Sequence, residues 1–280
     1  MKILCITSYN QTFKGKKLHP IDLAYKKTIQ QGLKNTYNIK CEIEDLNSVV
    51  GPIELRRIIN LLRPEDYIPG EDFRANFHIH TQASDGSLTP KLFLEQCKTW
   101  GNKISKTIKK DLLPPFTAAI TDHDCIDSVK ETLAIISQNP SDYKNFKFVT
   151  GCEFLFHGYK EPYSAFEAVG LGFNPFERDL DDMTKGRDSK NSVDDTKKIL
   201  KTGGILSWAH PIVTPEKIND DFFSFLKTHG IDGIEGNYQY IFWNKDYVQS
   251  FSDKLKTLIQ KYQMFVTGGT DTHSKSIFGR

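Results

Sequence analysis

Five of the eight histidines in this 280-residue chain fall in short motifs, and four of the five share theirs with an acidic residue. FHIHTQASDG sets His78 and His80 two apart, with Asp85 close behind; FTAAITDHD supplies Asp122, His123 and Asp124. FVTGCEF brings Glu153, ILSWAHP brings His210, and FVTGGTDTH brings Asp271 and His273. Imidazole and carboxylate together suit Zn, Mn or Fe better than Ca or Mg alone. Side chains two apart in a strand point the same way, so His78 and His80 can reach one ion, as can Asp271 with His273. Glu153, with two oxygens, can bridge neighbouring ions. A single His-x-His is weak evidence. Five strand ends bearing such groups are not.

Something must bring these ends together. From Phe73 onward, short apolar strands (RANFHIH, FTAAITDH, FKFVTGCEF, FEAVGLGF, GGILSWAH, GIDGIEG, MFVTGGTDTH) alternate with helical stretches such as TPKLFLEQCKTW and DSVKETLAIIS. Repeated βα units predict parallel strands with helices packed outside, and seven strands in this rhythm predict a closed α/β barrel. Such barrels build their sites where the strand C-termini rise to one rim. Residues 1–72 predict a separate βαβα segment: KILCITSY and YNIKCEIEDL as strands, PIDLAYKKTIQQGLKN and PIELRRIINLL as helices. RPEDYIPGEDF, rich in Pro and Gly, reads as a linker before a domain spanning 73–280.

Composition excludes other classes. The hydrophobic share is 38%, the charged share 26% and the net charge +2, an ordinary globular profile without the basic excess of a nucleic-acid binder. No apolar run approaches the roughly 20 residues of a membrane span. The opening MKILCITSYNQT reads as a first strand rather than a signal peptide, and five scattered cysteines read as reduced thiols; both place the chain in the cytoplasm.

Taken in order, HIHTQASDGSLTP, AITDHD, GCE, AHP and GGTDTH resemble the PHP (polymerase and histidinol phosphatase) superfamily, over roughly Phe73 to the C-terminus. The resemblance implies a distorted (β/α)7 barrel with two or three divalent metal ions (Mn, Zn or Fe) at the strand C-termini. SDGSLTP followed by ITDHD is similar to the branch of nucleoside 3′,5′-bisphosphate phosphatases and related phosphodiesterases; histidinol phosphatases would more typically carry His at the Asp85 position. Carried over residue by residue, the first ion takes His78, His80, Glu153 and Asp271, and the third takes Asp85, His123 and His273. The second shares Glu153, takes His210 and needs one further His, in a strand where this chain reads AVGLGF. Val169 stands at the expected place, with His157 as the candidate substitute.

The implied reaction is hydrolysis of a phosphate ester on a small phosphorylated metabolite, a nucleotide in the first reading. Metal-activated water is the nucleophile, its pKa lowered from about 15.7 towards 7. Glu153, His210 and Asp271 are the catalytic candidates, His210 or Asp271 protonating the leaving oxygen. Arg178, Lys185 and Arg187, in a polar loop, are candidates for phosphate contact. Two alternatives stand beside this: a 5′-3′ exonuclease on short oligonucleotides, guided by the basic run Lys98, Lys103, Lys106, Lys109 and Lys110, and a catalytically weak regulatory module. Tyr238, Tyr240, Phe242 and Trp243 read as packing aromatics, with base stacking as the alternative.

Overall fold

The computed structural model describes residues 18–61, 74–107, 116–158, 163, 165–238 and 245–278. The predicted strand KILCITSY, the linker, Lys109, Lys110, Tyr240, Phe242 and Trp243 lie outside these residues, as do the side chains of Arg187 and Tyr238.

Helix α1 (Pro20–Tyr37) starts as its sequence dictates, with Pro20 in the first turn and the His19 side chain accepting the Ile21 N–H. It ends at Asn38, whose φ of 55° turns the chain out of the helix. The predicted strand over YNIKCEIEDL does not form. The Asp45 carboxylate accepts the Glu42 N–H at 2.8 Å and a 3-10 turn follows at Glu44–Leu46, a local hydrogen-bonding alternative to pairing. Helix α2 (Pro52–Leu61) is tied back to α1 through Asp22, whose carboxylate accepts the Ile53 N–H at 2.8 Å.

Two sheets follow. Strands β1 (Ala75–Asn76), β2 (Phe116–Ala119) and β3 (Phe146–Val149) make a parallel sheet. Helix α3 (Pro90–Thr107) crosses between β1 and β2, and α4 (Asp127–Gln138) between β2 and β3. The second sheet has the order β6-β4-β5-β7-β8-β9. Its strands are β4 (Gly151–His157), β5 (Phe166–Leu171), β6 (Asn191–Ser192), β7 (Ile205–Trp208), β8 (Gly233–Tyr238) and β9 (Phe265–Gly269). Helices α5 (Thr196–Lys201), α6 (Asp220–Thr228) and α7 (Lys245–Tyr262) precede β7, β8 and β9.

Two expectations need correction. Strand β5 runs antiparallel to both β4 and β7. Only residues 158–165 join β4 to β5, and a parallel crossover needs a dozen or more. Nor do the described ladders close into one sheet. Single bridges connect the two sheets: Ile79 with Thr272, past the ends of β1 and β9, and His123, past the end of β2, with Glu153 near the start of β4. The chain is thus mixed α/β with parallel strands in both sheets.

One buried apolar cluster joins both sheets. It gathers Ala75, Phe77, Ala119 and Val149 from the first and Val169, Leu171, Ile205 and Ala209 from the second. Leu55, Ile58 and Ile59 of α2 pack into the same cluster. The N-terminal helix therefore shares a core with the strands that carry the motifs. Among the described residues, no helix is long and apolar enough to cross a membrane. Cys41, Cys97, Cys125 and Cys152 are free and buried.

Candidate metal centre

The motif residues converge on Glu153, fully buried at the third position of β4. Its Oε2 lies 2.9 Å from His78 Nε2 and 3.2 Å from His80 Nε2; Asp271 Oδ1 lies 3.3 and 2.9 Å from the same two nitrogens, which are 3.1 Å apart. Four ligands about 2.1 Å from a tetrahedral ion stand about 3.4 Å from one another. The spacing already matches the coordination sphere of one divalent cation.

Two further groups overlap the first. His80, Asp85, His123 and His273 bring ligand atoms within 4.8 Å of one another, with His273 Nε2 3.2 Å from Asp85 Oδ1. His80 faces the first group with Nε2 and this one with Nδ1, a buried atom without a hydrogen-bond partner among the described residues and 3.8 Å from Asp85. The other group is His123, Glu153 and Glu167. His210 reaches both of its carboxylates, with Nε2 2.9 Å from Glu153 and 3.4 Å from Glu167.

Glu167 was not anticipated. The expected ligand position at Val169 is wrong, because Val169 is packed into the apolar cluster between the sheets. Glu167, two residues earlier, shares its face of β5 and lies nearer the rim, opposite Leu155 of β4. The alternation in FEAVGLGF carried this signal. His157 is no substitute: it is exposed at the end of β4, four residues from Glu153 or about 13 Å along an extended strand. The structure brings it into none of the groups. Strand alternation would let Asp271 and His273 share an ion, whereas the family resemblance divides them; they go to different groups, and a φ of 47° at Asp271 breaks the alternation.

Surrounding residues hold the cluster in place. Glu235, also missed in the sequence, is buried at the third position of β8 and lies 3.0 Å from His78 Nδ1. A carboxylate can only accept here, so Nδ1 carries the proton and Nε2 is left facing the first group. The other Glu235 oxygen accepts the His210 N–H at 2.9 Å. Asp122 accepts the Thr81 N–H, the Thr81 hydroxyl and the Ser84 hydroxyl at 2.6–2.7 Å, pinning the loop that carries Asp85. Asp122 belongs to none of the three groups. Asp124, His210 and Asp271 all have positive φ (44°, 29° and 47°), a costly conformation outside glycine, and all three lie in or beside the cluster.

The charges of the cluster suit it to cations. Burial alone would push His78 down, yet Glu153, Glu235 and Asp271 hold it well above its ordinary value. Burial opposes and carboxylate partners overcome it at His80 and His210 too, both lifted to about 9. Glu153 and Asp271 resist burial in the opposite sense, held low by His78 and its neighbours. The carboxylates therefore demand positive charge. Protons on imidazole supply it without metal, and divalent ions supply it with the imidazoles neutral. These donors could hold divalent cations.

The phosphate-contact candidates are less closely placed. Arg178 and Lys185 are exposed, and the Lys185 ammonium pairs with Asp182 at 2.6 Å. Their loop is nonetheless anchored beside the cluster: the Gly186 N–H donates to the Asp124 carbonyl at 2.7 Å, and the Asn191 amide donates to the Asp124 carboxylate at 2.6 Å.

No protein-family model matches the sequence, and no curated protein does. Among solved structures, an amidohydrolase from Chromobacterium violaceum is 17% identical, with 72% of this chain and 88% of that one covered and a TM-score of 0.49. PsfC from Pseudomonas syringae PB-5123 is 14% identical, with 72% and 76% covered and a TM-score of 0.42. The reading of the site rests on its own distances.

Proposed function

We propose that this chain is a metal-dependent hydrolase that cleaves a phosphate ester on a small phosphorylated metabolite of nucleotide type. The observation that carries the reading is the convergence of three overlapping His/Asp/Glu groups, two of them sharing Glu153, at coordination distances. The phosphoesterase class comes from the PHP resemblance of the motifs; on this reading the two sheets form its distorted barrel, with single bridges in place of two ladders.

His78, His80, Glu153 and Asp271 would hold the first ion, His210, Glu153 and Glu167 the second, and Asp85, His123 and His273 the third. Bound divalent ions would activate water at neutral pH and neutralise phosphoryl charge. The chain's own residues do the rest. Glu235 fixes the His78 tautomer and, through the His210 N–H, the backbone at the strained His210 position. Asp122 holds the Asp85 loop. Asp271 and His210, expected to protonate the leaving oxygen, would both be taken up as ligands, and Asp271 is held ionised, so the leaving oxygen would draw its proton from solvent. Arg178 and Lys185, on the loop anchored to Asp124, are the side chains that would meet the substrate phosphate.

The small-substrate reading is preferred to the polymer one because the net charge of the chain is only +2. Lys98 pairs with Asp142 at 2.7 Å and the Lys103 ammonium sits over the Trp100 ring, so these two charges are engaged on the α3 surface. The test has two steps. Elemental analysis of protein purified without chelator should give two or three divalent ions per chain. A panel of nucleoside monophosphates, nucleoside 3′,5′-bisphosphates and short oligonucleotides should then show phosphate release from the small esters, abolished by chelation. Metal binding without hydrolysis of any phosphate ester defeats the phosphoesterase reading; fewer than two ions after reconstitution defeats the metal centre.

A further inference from the structure

The three groups differ in donor chemistry. The first offers two imidazole nitrogens and two carboxylate oxygens, and the group around Asp85 offers three nitrogens and one oxygen. The third is different: Glu153 and Glu167 supply two carboxylates, and one imidazole, from His123 or His210, completes it. Its oxygens dominate.

Glu167 is held there by the fold. It faces Leu155 across the β4–β5 ladder, its backbone carbonyl accepts the Ala209 N–H at 3.0 Å, and its carboxylate lies 3.4 Å from His210 and 4.0 Å from His123. Among the described residues its ion pairs are with these two imidazoles and with no Lys or Arg.

Ligand type decides which divalent ion such a group prefers. Imidazole suits Zn and Fe, whereas carboxylate and water suit Mg and Mn. We infer that Glu167 makes the Glu153–Glu167–His210 group a site for a hard divalent cation, Mn²⁺ or Mg²⁺, beside nitrogen-richer groups that take Zn²⁺ or Fe²⁺. The centre is then of mixed metal content by construction. This inference rests on the metal-centre reading above and adds to it the chemical class of one ion.

The test is metal binding by the full chain, stripped with chelator and then titrated, for the wild type, Glu167→Gln and Glu167→His. Mn²⁺ is read by its EPR signal and Zn²⁺ by calorimetry, with circular dichroism confirming that each variant is folded. The wild type, first loaded with two equivalents of Zn²⁺, should still take up Mn²⁺ at one site. Glu167→Gln should weaken that Mn²⁺ site at least tenfold, and Glu167→His should convert it to one that binds an additional Zn²⁺. If Zn²⁺ fills every site in the wild type and excludes Mn²⁺, or if Mn²⁺ affinity is unchanged in both variants, the inference is overturned while the metal centre stands. If no metal binds the wild type, both fall together.

Discussion

Glu235 and His78 meet at 3.0 Å, carboxylate to Nδ1, with both side chains buried. A carboxylate behind a metal-facing imidazole fixes its tautomer and aim, and removing such a partner typically costs 10–100-fold in metal affinity. Glu235→Gln keeps the shape but loses the charge. Its single carbonyl oxygen then has to serve both the His78 ring and the His210 N–H. Competition against a chromophoric chelator should show first-ion affinity reduced by at least about tenfold, with the melting temperature of the metal-free protein changed far less. Undiminished affinity would mean that Glu235 has no orienting role.

The metal-free protein should have an unusual pH profile. His80 and His210 are lifted from 6.5 to about 9, so each contributes stability that is fully present below pH 6.5 and is lost as pH rises towards 9. Asp271 is depressed, so its contribution is present above its ordinary 3.8 and disappears only on strong acidification. Urea melts of the stripped chain should therefore weaken between pH 6.5 and 9, with a slope of up to about 1.4 kcal/mol per pH unit for each proton released. Saturating metal should reverse the trend, because ligand imidazoles must be neutral to bind. Calorimetry in buffers of different ionisation enthalpy should accordingly detect protons released on metal uptake near pH 7.5. A flat profile in the stripped protein would contradict the charge pattern of the cluster.

Gly269 shows how closely the motif strands approach. A Cβ there would lie 2.3 Å from the His78 Cβ and 2.7 Å from its backbone nitrogen. Neither atom can retreat without dragging His78 off Glu153. Gly269→Ala should destabilise the fold by about 1–3 kcal/mol through overpacking and also impair the first ion site. Denaturant melts and metal titration of this variant measure the two effects separately. Wild-type metal affinity in the Gly269→Ala variant would show that the β1–β9 approach is looser than these distances state.

The limits of sequence reading follow from the same geometry. His78, His80, Glu153 and Asp271 were legible because β alternation and strand-end placement need no knowledge of pairing partners. Glu167 was not, because the relevant strand runs backwards: β5 is antiparallel, and only its register against β4 shows which of Glu167 and Val169 lies at the rim. Glu235 carried no motif at all, and only burial against His78 reveals it. Helices such as α1 and α3 followed from their helical patterning, and α1 also from Pro20 at its start. The strand expected through Ile39, Cys41 and Ile43 failed because Asp45 closes a turn on Glu42. Alternation of apolar residues could not register that competing hydrogen bond.

The N-terminal helix α2 should prove integral to the motif-bearing sheets rather than a detachable lobe. Leu55, Ile58 and Ile59 are buried among Phe77, Val169, Leu171 and Ile205, residues drawn from both sheets. Ile58 is fully buried, so Ile58→Ala leaves a cavity that β-strand packing fills only in part. The expected cost is about 2–5 kcal/mol, a large fraction of the stability of a typical domain. If α2 and the sheets form one cooperative unit, unfolding followed at Trp208 in β7 and by far-UV circular dichroism should shift together in this variant. Because Val169 sits on the strand that carries Glu167, metal affinity should also fall as the cluster loosens. A variant that melts α2 early while Trp208 and metal binding stay at wild-type values would show that the helix only rests on the sheets and that they hold the site alone.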